Sequence, residues 1–126
     1  METGTGEYLV ISRGKWDANA SPGDIQHAID EFYAWLEKRV EEGRMRRGSR
    51  LAATGKTVGP VTTDGPYGEA KEVIGGYWFI VARSLEEAAQ LAAENPCLKF
   101  GLFCEIRPLD PERARADAVT CETPER

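Results

Sequence analysis

The run Ile74-Gly75-Gly76-Tyr77-Trp78-Phe79-Ile80-Val81-Ala82 constrains this chain more than any other segment. It is β-branched and aromatic after its two glycines, and it is too short for an ordinary core helix, so it predicts a strand over residues 74–82. Successive side chains of a strand alternate between faces, which sends Trp78 and Ile80 one way and Tyr77, Phe79 and Val81 the other. A sheet built around this strand is apolar on both faces, and each face needs a cover.

The rest of the sequence supplies one cover. Residues 7–12 (Glu-Tyr-Leu-Val-Ile-Ser) read as a first strand, followed by a loop over 13–20. Ser21-Pro22-Gly23-Asp24 has an N-cap serine, a proline suited to the first helical position and an acid at capping-box spacing. Ile25, Ile29, Phe32, Leu36 and Val40 then recur at helical period, flanked by Tyr33 and Trp35, and Gly43 supplies the C-terminal cap. Residues 47–53 predict a second strand, and 56–63 a short ribbon leading into a turn at Asp64-Gly65-Pro66. Ser84-Leu85-Glu86-Glu87 is a second capping box, and Leu85, Ala88, Ala89 and Ala92 form a narrower stripe that stops at Asn95-Pro96. Residues 102–107 predict the last strand.

The order β-α-β-β-α-β predicts an α+β, ferredoxin-like fold with an antiparallel sheet. Two helices cover one face of a four-stranded sheet. The economical cover for the other is a second copy of the same sheet, so the pattern favours a homodimer. The expected organisation is a flexible N-terminus over 1–6, a domain over 7–108 and a polar tail over 109–126.

Composition narrows the function classes. The chain has 126 residues and a formal charge of −5, which argues against direct nucleic-acid binding despite the cluster Arg44, Arg46, Arg47 and Arg50. That cluster reads as a solvated helix end and edge strand. No segment is long and apolar enough to predict a membrane span, and Met1-Glu2-Thr3-Gly4-Thr5 has no basic or apolar stretch that would predict export. Three cysteines, Cys97, Cys104 and Cys121, without a CxxC pair fit a reducing cytoplasm, with Cys104 as core filler. One histidine and scattered cysteines predict no metal site and no cofactor. Thr54-Gly55-Lys56-Thr57 imitates the end of a phosphate-binding loop, but Arg50 occupies the leading glycine position and Val58-Gly59-Pro60 cannot begin the required helix. His27 lies opposite the apolar stripe of its helix, so it is expected on the solvent side.

The densest charge lies just before the central strand. Asp64-Gly65-Pro66-Tyr67, Glu69, Lys71-Glu72, Gly75-Gly76-Tyr77 and Glu105-Ile106-Arg107-Pro108 together resemble the signature of the DGPF (YCII-related) family of small bacterial proteins. Tyr67 stands where the family has phenylalanine, keeping the ring and adding a hydroxyl. The resemblance runs from about Tyr8 to Pro108 and implies a dimeric α+β barrel. It also implies a small-molecule cleft between the sheet and residues 43–72, with Asp64, Glu69, Lys71 and Glu72 as polar contacts and Tyr77, Trp78 and Phe79 as the apolar wall. Family members are often encoded beside sigma factors of the extracytoplasmic type, which implies an accessory or regulatory role in stress responses. Fold relatives include cofactor-free monooxygenases and lactone isomerases. They imply an alternative enzymatic role, with Asp64 as base and Tyr67 or Tyr77 as proton donor or oxyanion partner. Some members of the wider group carry a histidine on the first helix. Counted back from Gly43, that position falls near Phe32, so His27 does not inherit the role.

Asp64 has two readings that the sequence leaves open. Its carboxylate can accept backbone N–H groups and hold its own turn, or it can face a ligand. Glu69, Lys71 and Glu72 divide in the same way between a loop-pinning ion-pair network and a polar pocket wall. Gly75 and Gly76 predict a bulge or a close backbone approach at the start of the strand.

Overall fold

A computed structural model describes residues 4–60, 62–64 and 73–124, with the backbone alone described for 62–64. Ser21 begins α1 (Pro22–Glu41): its Oγ accepts the Asp24 N–H at 3.0 Å, and Pro22 occupies the first turn. Gly43, at φ +77°, lies just beyond the last turn, where a left-handed residue closes the helix. Ser84 does the same for α2 (Leu85–Ala92), accepting the Glu87 N–H at 3.0 Å while Glu87 reaches back to the Arg83 N–H. A short 3₁₀ turn, Pro96–Phe100, follows, capped by the Asn95 carboxamide oxygen on the Cys97 N–H at 2.8 Å.

Among the described residues there are six strands: β1 (Gly6–Arg13), β2 (Met45–Arg50), β3 (Lys56–Val58), β4 (Thr62–Asp64), β5 (Ile74–Ala82) and β6 (Phe103–Pro108). The main sheet runs β2-β5-β1-β6, with every neighbouring pair antiparallel. β3 and β4 form a separate two-stranded ribbon. The architecture is therefore α+β and ferredoxin-like, with the ribbon inserted ahead of the central strand β5.

Both helices lie on one side of the sheet. Between them and the sheet sit Val10, Leu36, Met45, Trp78, Ile80, Ala88, Leu91 and Ala92. The ring of Phe32 meets Trp78 edge-on, with centroids 4.9 Å apart. His27 is exposed, near Glu31 on the next turn. The α2 stripe differs from the expected one. Leu91 is buried while Leu85 and Ala89 are exposed, because the helix packs through Ala88, Leu91 and Ala92, three and four residues apart. β2 also starts two residues earlier than the pattern predicted and ends at Arg50, with Leu51–Ala53 outside it and exposed.

The register explains that shift. Arg46 opposes Phe79 and Ser49 opposes Tyr77, so Arg47 and Gly48 together face Trp78. This is a bulge, which bends its strand and re-aims its side chains. It brings Gly48 so close to β5 that a Cβ there would lie 2.0 Å from the Tyr77 carbonyl oxygen. Beside it, a Cβ on Gly76 would lie 2.8 Å from the Ser49 carbonyl oxygen, and Gly75 is the extra residue between the Ser12–Gly76 and Arg13–Ile74 pairs. The glycine pair thus serves both a bulge and a close approach, as expected.

Gly48→Ala forces backbone apart in the middle of the sheet. It should cost about 2–3 kcal/mol, at the upper end of ordinary overpacking, read as a lower midpoint of denaturant unfolding. A midpoint matching the wild type would show that β2 does not approach β5 this closely.

Candidate functional site

The bulge opens a space between α1 and the sheet. A cavity of about 510 Å³ lies there, within the usual range for small-molecule sites. The sheet provides Ser12, Gly76 and Trp78; the helix provides Ile29, Phe32, Tyr33 and Leu36. Asn95, Cys97 and Leu102 close one end.

The rim is built by two segments held in place by backbone hydrogen bonds. The Gly14 N–H donates to the Val73 carbonyl at 3.0 Å and the Asp17 N–H to the Phe100 carbonyl at 2.7 Å, which fixes Lys15 and Trp16 beside the opening. Across from them the bulge presents Arg47 and Arg50, and the Leu51 N–H donates to the Gly75 carbonyl at 2.9 Å. Arg47 is paired with Glu37 of α1 by two hydrogen bonds. That pair holds the Glu37 carboxyl below its ordinary range and raises the Arg47 guanidinium. Lys15 and Arg50 are exposed and have no carboxylate partner among the described residues. The described rim therefore carries two uncompensated positive charges.

Two residues of the wall carry polar atoms. The Trp78 indole Nε1 is buried and has no hydrogen-bond acceptor among the described residues, while the residue itself is only 6% exposed. Cys97 lies on the wall with its thiol 3.7 Å from the Ala28 carbonyl oxygen. Burial pushes the Cys97 thiol up to about 11, with the nearby Cys104 adding to the effect. Burial likewise raises Cys104 to about 11, against a small opposing hydrogen bond from Asn95. Both are poor nucleophiles near neutral pH.

Of the residues expected in a site, Trp78 lies on the cavity wall and Tyr77 borders it. Tyr77 and Phe79 meet edge-on at 5.9 Å, and strand alternation puts them on the side of the sheet away from the helices. Arg46 covers the Phe79 ring at 4.6 Å. Asp64 ends β4, its backbone paired with Lys56, and its side chain lies outside the described residues, as do Tyr67, Glu69, Lys71 and Glu72. Phe32, where some relatives carry histidine, lines the cavity instead.

Sequence reasoning passed over Lys15 and Trp16, which lay in an unpatterned loop, and treated Arg50 as solvated. A tryptophan within the polar stretch 13–20 was the available signal. Among the described residues no group of three or more His, Cys, Asp or Glu side chains forms a metal site, and no helix is long and apolar enough to cross a membrane.

A ferredoxin-like α+β sheet with a half-open, aromatic-walled cavity under its first helix defines the class. Residues 8–110 match the family model of the YCII-related domain, and the chain belongs to that family. No curated protein matches the chain.

The thiols allow a check on the cavity wall. A raised thiol pKa means the folded state holds its proton more tightly than the unfolded chain. The associated stability is complete below the ordinary value of 9.0 and is lost as the pH climbs toward about 11. Denaturant midpoints should fall over that window, and fall less in the Cys97→Ala/Cys104→Ala variant. Parallel decline in the two proteins would contradict the burial of these thiols.

Proposed function

We propose that the protein is a homodimeric binding module for a small molecule, which it holds in the cavity between α1 and the sheet. The observation that carries this reading is the cavity itself, walled by Trp78 and Phe32 and rimmed by Trp16, Lys15 and Arg50. Pockets of this size with an apolar wall and a few polar groups are the usual form of a ligand site. Val73, on the cavity wall, continues directly from residues 65–72, which supports extending the site to Asp64, Glu69, Lys71 and Glu72 as polar contacts. The domain of the proposal is 7–108, with tails on either side. A cytoplasmic accessory or regulatory role in stress responses rests on the family resemblance alone.

The second sheet face supports the dimer. Leu9 pairs across the strands with Phe79 and Ile11 with Tyr77, forming an apolar stripe that no element among the described residues covers. The charges beside it form pairs within the chain: Glu7 with Arg46 at 2.9 Å, and Glu105 with both Arg13 and Arg107. An apolar centre with internally paired flanks can meet an identical copy about a two-fold axis with little like-charge repulsion.

Two measurements test the reading together. Sedimentation equilibrium at micromolar concentration should give twice 13.9 kDa, and Phe79→Glu should give a folded monomer. In thermal-shift screening, a ligand at about a hundred times its Kd should add about 2.7 kcal/mol of stability. Ile29→Trp, which fills the cavity from the helix side, should abolish that response. A wild-type monomer at every concentration would end the dimer, and a ligand response indifferent to Ile29→Trp would move the site elsewhere.

A further inference from the structure

The cavity carries information about the chemistry of its occupant. The chain as a whole has a formal charge of −5, yet the described charges on the cavity rim are Lys15, Arg47 and Arg50 against Glu37 alone. Arg47 and Glu37 neutralise one another. Lys15 and Arg50 remain, one on each side of the opening, with no acidic partner among the described residues, and the Gly14–Val73 and Leu51–Gly75 backbone bonds hold their segments in place. In a net-acidic protein, an opening flanked by two such cations concentrates anions locally.

The interior adds an independent observation. Trp78 belongs to the cavity wall, while its Nε1 is buried away from the open space. Phe32 stands edge-on to the same ring and Trp16 lines the same space, which favours a flat apolar body between them.

We infer that the ligand is a compact organic anion with a flat apolar body, its acidic group held at the rim by Lys15 and Arg50. This rests on the small-molecule reading above and names the ligand class for that same cavity. Arginine suits a carboxylate because its planar fork can donate two parallel hydrogen bonds, and lysine adds a mobile point charge.

The test compares three probes of one shape that differ in charge: 1-naphthoate, 1-naphthamide and 1-naphthylmethylammonium. Binding to the full chain is followed by tryptophan fluorescence and calorimetry at about physiological ionic strength, where surface electrostatics are partly screened. Naphthoate should bind at least about tenfold more tightly than the amide, a difference of about 1.4 kcal/mol, and the ammonium most weakly. Arg50→Gln with Lys15→Gln should bring naphthoate to within about twofold of the amide and leave the amide unchanged. Both residues are exposed, so the fold should persist, which circular dichroism verifies. Amide binding equal to naphthoate overturns the anion inference and leaves the small-molecule reading intact. Preference for the ammonium also overturns it. Failure of all three probes to bind overturns both.

Discussion

The approach of β2 to β5 at Gly48 is the constraint from which the site follows. Two residues of β2, Arg47 and Gly48, occupy the space opposite Trp78, and only a residue without a side chain fits against the Tyr77 carbonyl. Had β2 paired regularly, one residue would face Trp78 and the strand would run on along β5. Instead the strand bends. Arg47 turns to α1 and joins Glu37, and Arg50 ends the strand at the rim of the cavity. Gly76 permits the same close approach from the other strand. One local irregularity thereby opens the space, sets its floor and positions its charges.

The two faces of β5 divide the work of the molecule. Trp78 and Ile80 anchor the helices through the core that Phe32, Leu36 and Leu91 complete. Tyr77, Phe79 and Val81 leave an apolar stripe on the other side. The face that packs is also the face that holds the cavity, so a ligand against Trp78 touches the same side chain that seats α1. A ligand filling the space would couple binding to stability and tighten the helix on the sheet.

The fold was legible because local signals agreed with one another. Ser21 and Ser84 both cap helices where the spacing put them, and Ile74–Ala82 forms the expected strand with the expected alternation. What misled was weaker chemistry. The α2 stripe is mostly alanine, whose burial is cheap in either rotation, so the pattern chose Leu85 and Ala89 where packing chose Leu91. The end of β2 was misplaced because a bulge is a property of two strands, and Gly48 discloses it only when Tyr77 is opposite. The site was less legible for a related reason. Lys15 and Trp16 lie 34 or more residues from Arg50, brought to one opening by the backbone bonds of two loops that no periodicity records.

The proposed ligand site is the cavity beside Trp78, and not the open sheet face. The most direct measurement is the indole N–H resonance of each tryptophan in ¹⁵N-labelled protein during titration with 1-naphthoate. The Trp35 indole is already bonded to Glu94 at 3.1 Å and serves as an internal reference. The Trp78 indole resonance should shift progressively as the naphthyl ring packs against the cavity wall, with Trp35 unmoved. A Trp78 resonance that stays fixed while the backbone amides of Leu9, Ile11 and Val81 move would place the ligand on the sheet face and contradict the account.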